Sequence, residues 1–260
     1  MSSTGASAAV SGVRRDWQAF LLALAGILLV IVLPWAVAVG AGVRSVILPS
    51  FSQMFDAFAD LIADDTLVPA TLISLWRVNV GFALAVASAV PLGIVLGRHR
   101  SWFVAFEPVI ESFRFVVPFA WIPLAVLWFG TGEPGKLFII WYAGFFVMLL
   151  PTIFGVRGVD PDLVKAARTL GAGEATIFRK VILPAILPNL VVAMRVAFAL
   201  CWISILAAEL VASRAGLGYM MADARELLRT DVVLVGMIVI GIIGALYNWL
   251  FGMLARRLHR

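Results

Sequence analysis

Six runs of about 20 predominantly apolar residues constrain this chain more than any other feature: roughly Trp17–Val39, Leu72–Leu96, Val109–Phe129, Leu137–Val156, Leu187–Val211 and Val232–Leu254. Each is long enough for a helix to cross a hydrocarbon layer of about 30 Å. Backbone in lipid must satisfy its own hydrogen bonds, so the expected class is an all-α, polytopic membrane protein of six transmembrane helices. Composition excludes a soluble globule: 63% of the 260 residues are hydrophobic and 13% charged, against roughly 45–50% and 25% in soluble domains. The first run is too long for a signal-peptide core and has no cleavage-site pattern, which makes it a span. It follows a Ser-, Ala- and Gly-rich segment, residues 1–16, expected to be disordered and cytoplasmic; residues 17–260 then form one membrane domain.

The net charge of +5 does not point to nucleic acid, because the basic residues cluster at the ends of apolar runs. With the amino terminus inside, one set of flanks holds Arg14, Arg15, Arg98, Arg100, Arg157, Lys165, Arg168, Arg179, Lys180, Arg256, Arg257 and Arg260. The opposite loops hold Asp56, Asp60, Asp64, Asp65, Glu133, Asp223, Glu226 and Asp231. This asymmetry predicts both termini in the cytoplasm. Phe51–Ala63 alternates apolar and acidic residues at helical period and is expected to lie along a membrane face without crossing.

Between the fourth and fifth runs, Asp160 to Pro188 reads DPDLVKAARTLGAGEATIFRKVILPAILP. Asp160 and Pro161 start a helix, Leu163, Ala166, Ala167 and Leu170 share one stripe, and Gly171 stops it. A second short helix carries Ile177, Phe178, Val181 and Ile182 on one side, and Pro184 is expected to end it. Too polar to cross a bilayer and too slim to be a core, this hairpin suits docking into a groove of another protein. Lys165-Ala166-Ala167, then Gly171, then Val181-Ile182-Leu183-Pro184 resembles the EAA loop of permease subunits of bacterial ABC importers. The resemblance implies that Lys165, Ala166, Ala167, Leu170, Gly171, Val181, Leu183 and Pro184 couple the chain to an ATPase subunit.

Beyond this loop the chain is similar to the permeases that serve aliphatic sulfonates, taurine and nitrate. The matching pieces are ILPS at Ile47–Ser50, SLWRVNVGF at Ser74–Phe82, the stretch from Glu107 to Glu133, and Ala207 to Met237, with Phe51 and Phe115 where the subgroup carries proline. The resemblance implies the type I importer permease fold and a multi-pass protein of the bacterial inner membrane. It further implies a second permease copy, two ATPase subunits that hold ATP and magnesium, and an external solute-binding protein. Gly216, Gly218, Tyr219, Met220 and Met221 would lie near an outer gate, the plainer alternative being a glycine-rich turn with lipid-facing methionines.

Ionisable residues within or at the edges of spans are costly, which singles out Arg77, Arg114, Arg195 and Glu209. They line a path for an anion, which a guanidinium binds by forked hydrogen bonds, or else they hold one another in structural pairs. No catalytic or metal-binding constellation is present: Gly130 to Lys136 matches a P-loop's first seven positions, but Leu137 supplies no hydroxyl for magnesium and no strand precedes it. Its glycines suit a tight turn. Cys201 is the single cysteine, so no intrachain disulfide forms. The competing class is an ion-gradient-driven secondary transporter, which predicts internal repeats and midplane acids that the sequence does not display.

Overall fold

A small residue at every fourth position governs how the helices pair. The computed structural model describes Gly40 and residues 48–258; the span expected over Trp17–Val39 lies outside these residues. Its elements are α1 (Phe51–Ala63), α2 (Leu67–Arg98), α3 (Arg100–Arg114), a 3-10 turn (Pro118–Trp121), α4 (Ile122–Phe129), α5 (Glu133–Arg157), α6 (Pro161–Thr169) and α7 (Glu174–Ile177). A π turn (Phe178–Ile182), α8 (Leu183–Ala212), α9 (Leu217–Glu226) and α10 (Thr230–Leu258) complete the order. On α2, Gly81, Ala85, Ala89, Gly93 and Gly97 form a stripe at i, i+4 spacing. Added Cβ atoms would meet Ile140 at Gly81 (2.5 Å), Thr152 at Gly93 (2.7 Å) and Val156 at Gly97 (2.7 Å), all on α5. Lipid supplies no hydrophobic drive between helices, so close backbone approach along small residues is what brings α2 and α5 together. Gly144 repeats the device where all three helices meet: a Cβ there would stand 2.8 Å from Cys201 Sγ of α8 and 2.9 Å from Ala85 Cβ of α2. α5 is therefore the buried centre of the described bundle, between α2 and α8.

Gly93→Leu should force α2 from α5 and lower stability toward the upper end of about 1–3 kcal/mol, the range for overpacking a filled core. Gly241→Leu, with nothing within 4 Å of the added carbon, should leave the melting temperature in detergent unchanged.

Four described helices are long and apolar enough to cross a membrane: Leu67–Arg98, Glu133–Arg157, Glu174–Ala212 and Thr230–Arg256. The single span expected over Val109–Phe129 is corrected to a bent pair, Arg100–Arg114 and Pro118–Phe129, meeting at 84°. Pro118 and Pro123 cannot donate backbone hydrogen bonds, so the helix ends at Arg114 and restarts through the 3-10 turn. The bend is held by Tyr142, whose hydroxyl donates to the Phe113 carbonyl at 2.5 Å, and by Trp121 stacked on Phe113. Pro184 gives a second correction, since it does not end the hairpin. It sits in the first turn of α8, where a missing N–H is tolerated, and the chain passes through the π turn without a break.

α1 begins with a capping box: Ser50 Oγ accepts from the Gln53 amide at 3.3 Å and Gln53 Oε1 accepts from the Ser50 amide at 2.8 Å. It buries Ala57 and Leu61, and Phe51, Met54, Phe55 and Phe58 border a groove against Val235, Ile238, Val239 and Ile242 of α10. Ionic contacts gather at two ends of the bundle. Arg77 and Arg98, one in each group, lie 21 residues apart on α2, roughly 31 Å at 1.5 Å per residue. That is the thickness of a hydrocarbon layer.

Candidate functional site

At one end of the bundle the hairpin packs one side against it, through Val164, Ala167, Ile177 and Ile182, and leaves the other side of its first arm exposed. Asp160 Oδ1 accepts from the Asp162 amide at 2.8 Å and caps α6, which Pro161 opens. Gly171 adopts φ +78, which lets its amide bond the Arg168 carbonyl at 2.9 Å and the Ala172 amide bond the Ala167 carbonyl at 3.0 Å. This is a Schellman stop. No residue of α6 is buried; Leu163 is 55% and Leu170 87% exposed, and Lys165 and Ala166 are exposed beside them. The second arm is rooted differently, with Ile177 and Ile182 buried and Val181 and Leu183 half-buried, while Pro184 is exposed. Glu174 ties the arms to the bundle by accepting from Arg168 Nη2 at 2.7 Å and pairing with Arg98 of α2. Lys165 pairs with Asp162 at 2.8 Å, one turn back on its own helix. A helix with a bare apolar face on a pinned base can receive a partner without rearranging.

At the other end, the structure brings Arg77 and Glu209 together with Glu133 and Ser74, which the sequence reading did not count among the site residues. Arg77 is 3% exposed and donates from Nη1 to Glu209 Oε1 (2.7 Å), from Nη2 to Glu133 Oε1 (2.6 Å) and from Nε to Glu133 Oε2 (2.7 Å). Its Nη1 also donates to the Ala215 carbonyl at 2.7 Å. Ser74, one helical turn before Arg77, donates to the Glu209 carboxylate at 2.8 and 2.9 Å. Lys136 is buried and pairs with Glu133 at 3.3 Å, so Gly130 to Lys136 is a turn entering α5, as its glycines imply. The fork of Arg77 is filled by protein carboxylates.

Gly216 and Gly218 lie against Glu209 at the start of α9. Tyr219 is 38% exposed, Met220 is buried, and Met221 is half-buried against Gly236. The alternative of a turn with lipid-facing methionines is thereby corrected: the segment is a helix start, and Met220 packs into the core with Leu217. Arg114 and Arg195 sit apart from this clasp. Arg114 pairs with Glu111 at 2.8 Å and lies over the Phe115 ring. Arg195 is exposed on α8, with Nε donating to Asn248 of α10. An open cavity of about 460 Å³ lies along the α5–α8 seam, lined by Val147, Pro151, Phe154, Asn189, Val192 and others, with Arg195 outside its lining. Cys201 is buried with its thiol toward the Ile140 carbonyl at 3.3 Å. Sequence reasoning missed Ser74 and Glu174 as partners; the only local signal was Ser74 standing one turn from an arginine inside a span.

The chain was compared with known proteins. The family described as binding-protein-dependent transport system inner membrane component matches residues 89–260. A putative ABC transporter permease of Methanocaldococcus jannaschii is 42% identical, the alignment covering 76% of each chain. The taurine transport system permease of Escherichia coli is 35% identical over 86% of this chain and 83% of its own. A putative aliphatic sulfonates transport permease of Bacillus subtilis is 34% identical over 94% and 88%. Among solved structures, the inward-facing methionine ABC transporter aligns with a TM-score of 0.62 at 20% identity, covering 75% of this chain and 96% of that one. Such a likeness speaks for the fold, and it is the type I permease arrangement expected from the hairpin. Family match, relatives and fold agree that this chain belongs to the binding-protein-dependent transport system inner membrane components, the permease subunits of ABC transporters, which leave ATP hydrolysis to a separate subunit.

Proposed function

We propose that this permease imports a small anion, an aliphatic sulfonate, taurine, nitrate or a close analogue, in an assembly of two identical permease copies. Two ATPase subunits, which hold the ATP and magnesium, take the two hairpins, and an external solute-binding protein delivers the anion to the opposite face. The observation that carries this reading is the exposed face of α6 and its stop, Leu163, Ala166 and Leu170, on a base fixed by Glu174 and by Val164 and Ala167 packed against the bundle. Apolar side chains this exposed at a polar membrane end call for a protein cover. The basic hairpin end is assigned to the cytoplasm, with both termini, by the arginine asymmetry.

ATP binding closes the ATPase pair and draws the docked hairpins together; the spans rock as rigid bodies and the cavity opens outward, and hydrolysis returns it. The cavity between α5 and α8 is a stretch of this path. Arg195, whose Nε donates to Asn248, and Arg114 are the cations assigned to the anion, although neither lines that cavity in this conformation.

Copurification from membranes in mild detergent tests the assembly. Recovery of an ATPase subunit, with ATP hydrolysis stimulated by one anion-loaded binding protein, is expected. Recovery of this chain alone, with ion-gradient-driven flux in vesicles, would replace the importer by a secondary transporter.

A further inference from the structure

The first-turn amides of a helix have no partners within it, and Gly216, at the N-cap of α9, has no side chain to offer them. Here the cap comes from other helices. Ser74 Oγ of α2 accepts from the Leu217 amide at 2.9 Å, and Glu209 Oε2 of α8 accepts from the Gly218 amide at 2.9 Å. Arg77 holds the same connection through the Ala215 carbonyl and reaches the Ser213 hydroxyl at 3.4 Å. Three side chains of the bundle thus satisfy both amides and a carbonyl of the α8–α9 connection, and all three are buried: Ser74 0%, Arg77 3% and Glu209 1% exposed.

The two glycines serve close approach as well. A Cβ at Gly216 would overlap the Glu209 carboxylate, and its φ of +116 excludes ordinary side chains. A Cβ at Gly218 would stand 2.6 Å from Glu209 Cβ and 2.7 Å from the Leu206 carbonyl oxygen. A glycine-containing connection invites description as a hinge, yet this one is clamped at the Ser213 hydroxyl, the Ala215 carbonyl and the Leu217 and Gly218 amides.

We infer that Ser74 and Glu209 are positioning residues that cap α9 from neighbouring helices and, with Arg77, make the Gly216–Met221 segment a fixed part of the α2–α5–α8 body. The segment moves with that body when this end opens; it does not swing on the Ser213–Gly216 connection. Arg77 and Glu209 accordingly act on the protein's own helix and are removed from the residues that contact solute.

Thiol protection tests this in the full chain. Ala224, on α9 and 4% exposed, is changed to cysteine in a Cys201→Ala background; Ala85, 0% exposed on α2, serves in parallel as a report on the bundle. A membrane-impermeant maleimide is applied to right-side-out and inside-out vesicles. Ala224→Cys should be protected in the otherwise unaltered chain. With Glu209→Ala or Gly216→Ala, labelling should quicken from one side by on the order of tenfold, the effect of losing a charge-assisted buried bond. Glu209→Gln, which keeps an acceptor for the Gly218 amide, should fall between, and Ala85→Cys should stay protected throughout. Unchanged protection of Ala224→Cys in both variants would overturn the inference, as would a parallel rise at Ala85→Cys, which marks loss of the whole bundle. Labelling needs neither solute nor nucleotide, so its outcome is separate from the importer assignment.

Discussion

Arg77→Leu is expected to lower stability by about 3–5 kcal/mol, the cost of stranding a buried charge when its partner is removed. The loss resides in the Glu209 arm, because that carboxylate is 0% exposed whereas Glu133 is 44% exposed. Water screens the Glu133 arm, so Glu133→Gln should cost no more than about 1 kcal/mol. The double variant Arg77→Leu with Glu209→Gln should recover part of the single variant's loss, since an amide oxygen still receives the Gly218 amide without an unpaired charge. Melting in detergent, followed by monodispersity on a sizing column, measures all three. A single variant as stable as the double would mean that Glu209 does not need its arginine.

Gly171→Val is expected to abolish coupling while sparing insertion into the membrane. Nothing lies within 4 Å of a Cβ at Gly171, so the added side chain meets no obstacle in this chain. The backbone is the obstacle: φ +78 is a left-handed conformation that costs an L-residue about 1–2 kcal/mol, and a β-branched one is stiffer still. Relief comes by opening the Schellman turn, which changes the angle between α6 and α7 and misplaces the Leu163–Leu170 face. Solute uptake in reconstituted vesicles should fall by at least about tenfold, the factor carried by roughly 1.4 kcal/mol, with the protein still extracted as a folded species. Gly171→Asn, a residue that tolerates this conformation, should retain most of the uptake. Full uptake by a correctly inserted Gly171→Val would show that the hairpin is not the coupling element.

These two sites differ in how far the sequence reveals them. The first arm of the hairpin is written locally: a capping aspartate, a proline at the first position, small residues on one stripe and a glycine stop all fall within 12 residues. Such signals act through neighbouring backbone groups, so chain order is enough to read them. The second arm was less legible. Pro184 reads as a stop because proline removes a helical hydrogen bond, but the π turn before it had already shifted the register. The bend at Phe115–Val117 was hidden for a related reason, since hydropathy counts apolar residues without recording the direction in which they run.

The clasp at the other end had no local signature. Arg77 lies 56 residues from Glu133 and 132 from Glu209, and Ser74 lies 143 from the amide that it accepts. Each residue, read alone, is an isolated charge or hydroxyl near a membrane boundary, and for Arg77 and Glu209 the sequence leaves both a solute contact and a structural pair open.

The sequence by itself determined that this is a helical membrane protein with one set of flanks rich in arginine and a capped polar hairpin between two spans, because hydrophobicity, charge asymmetry and caps are properties of neighbouring residues. Only the tertiary structure decided which charges are spent on one another. Partner choice depends on which helices the Gly81–Gly97 stripe lets approach, and so on contacts between residues that the chain keeps far apart.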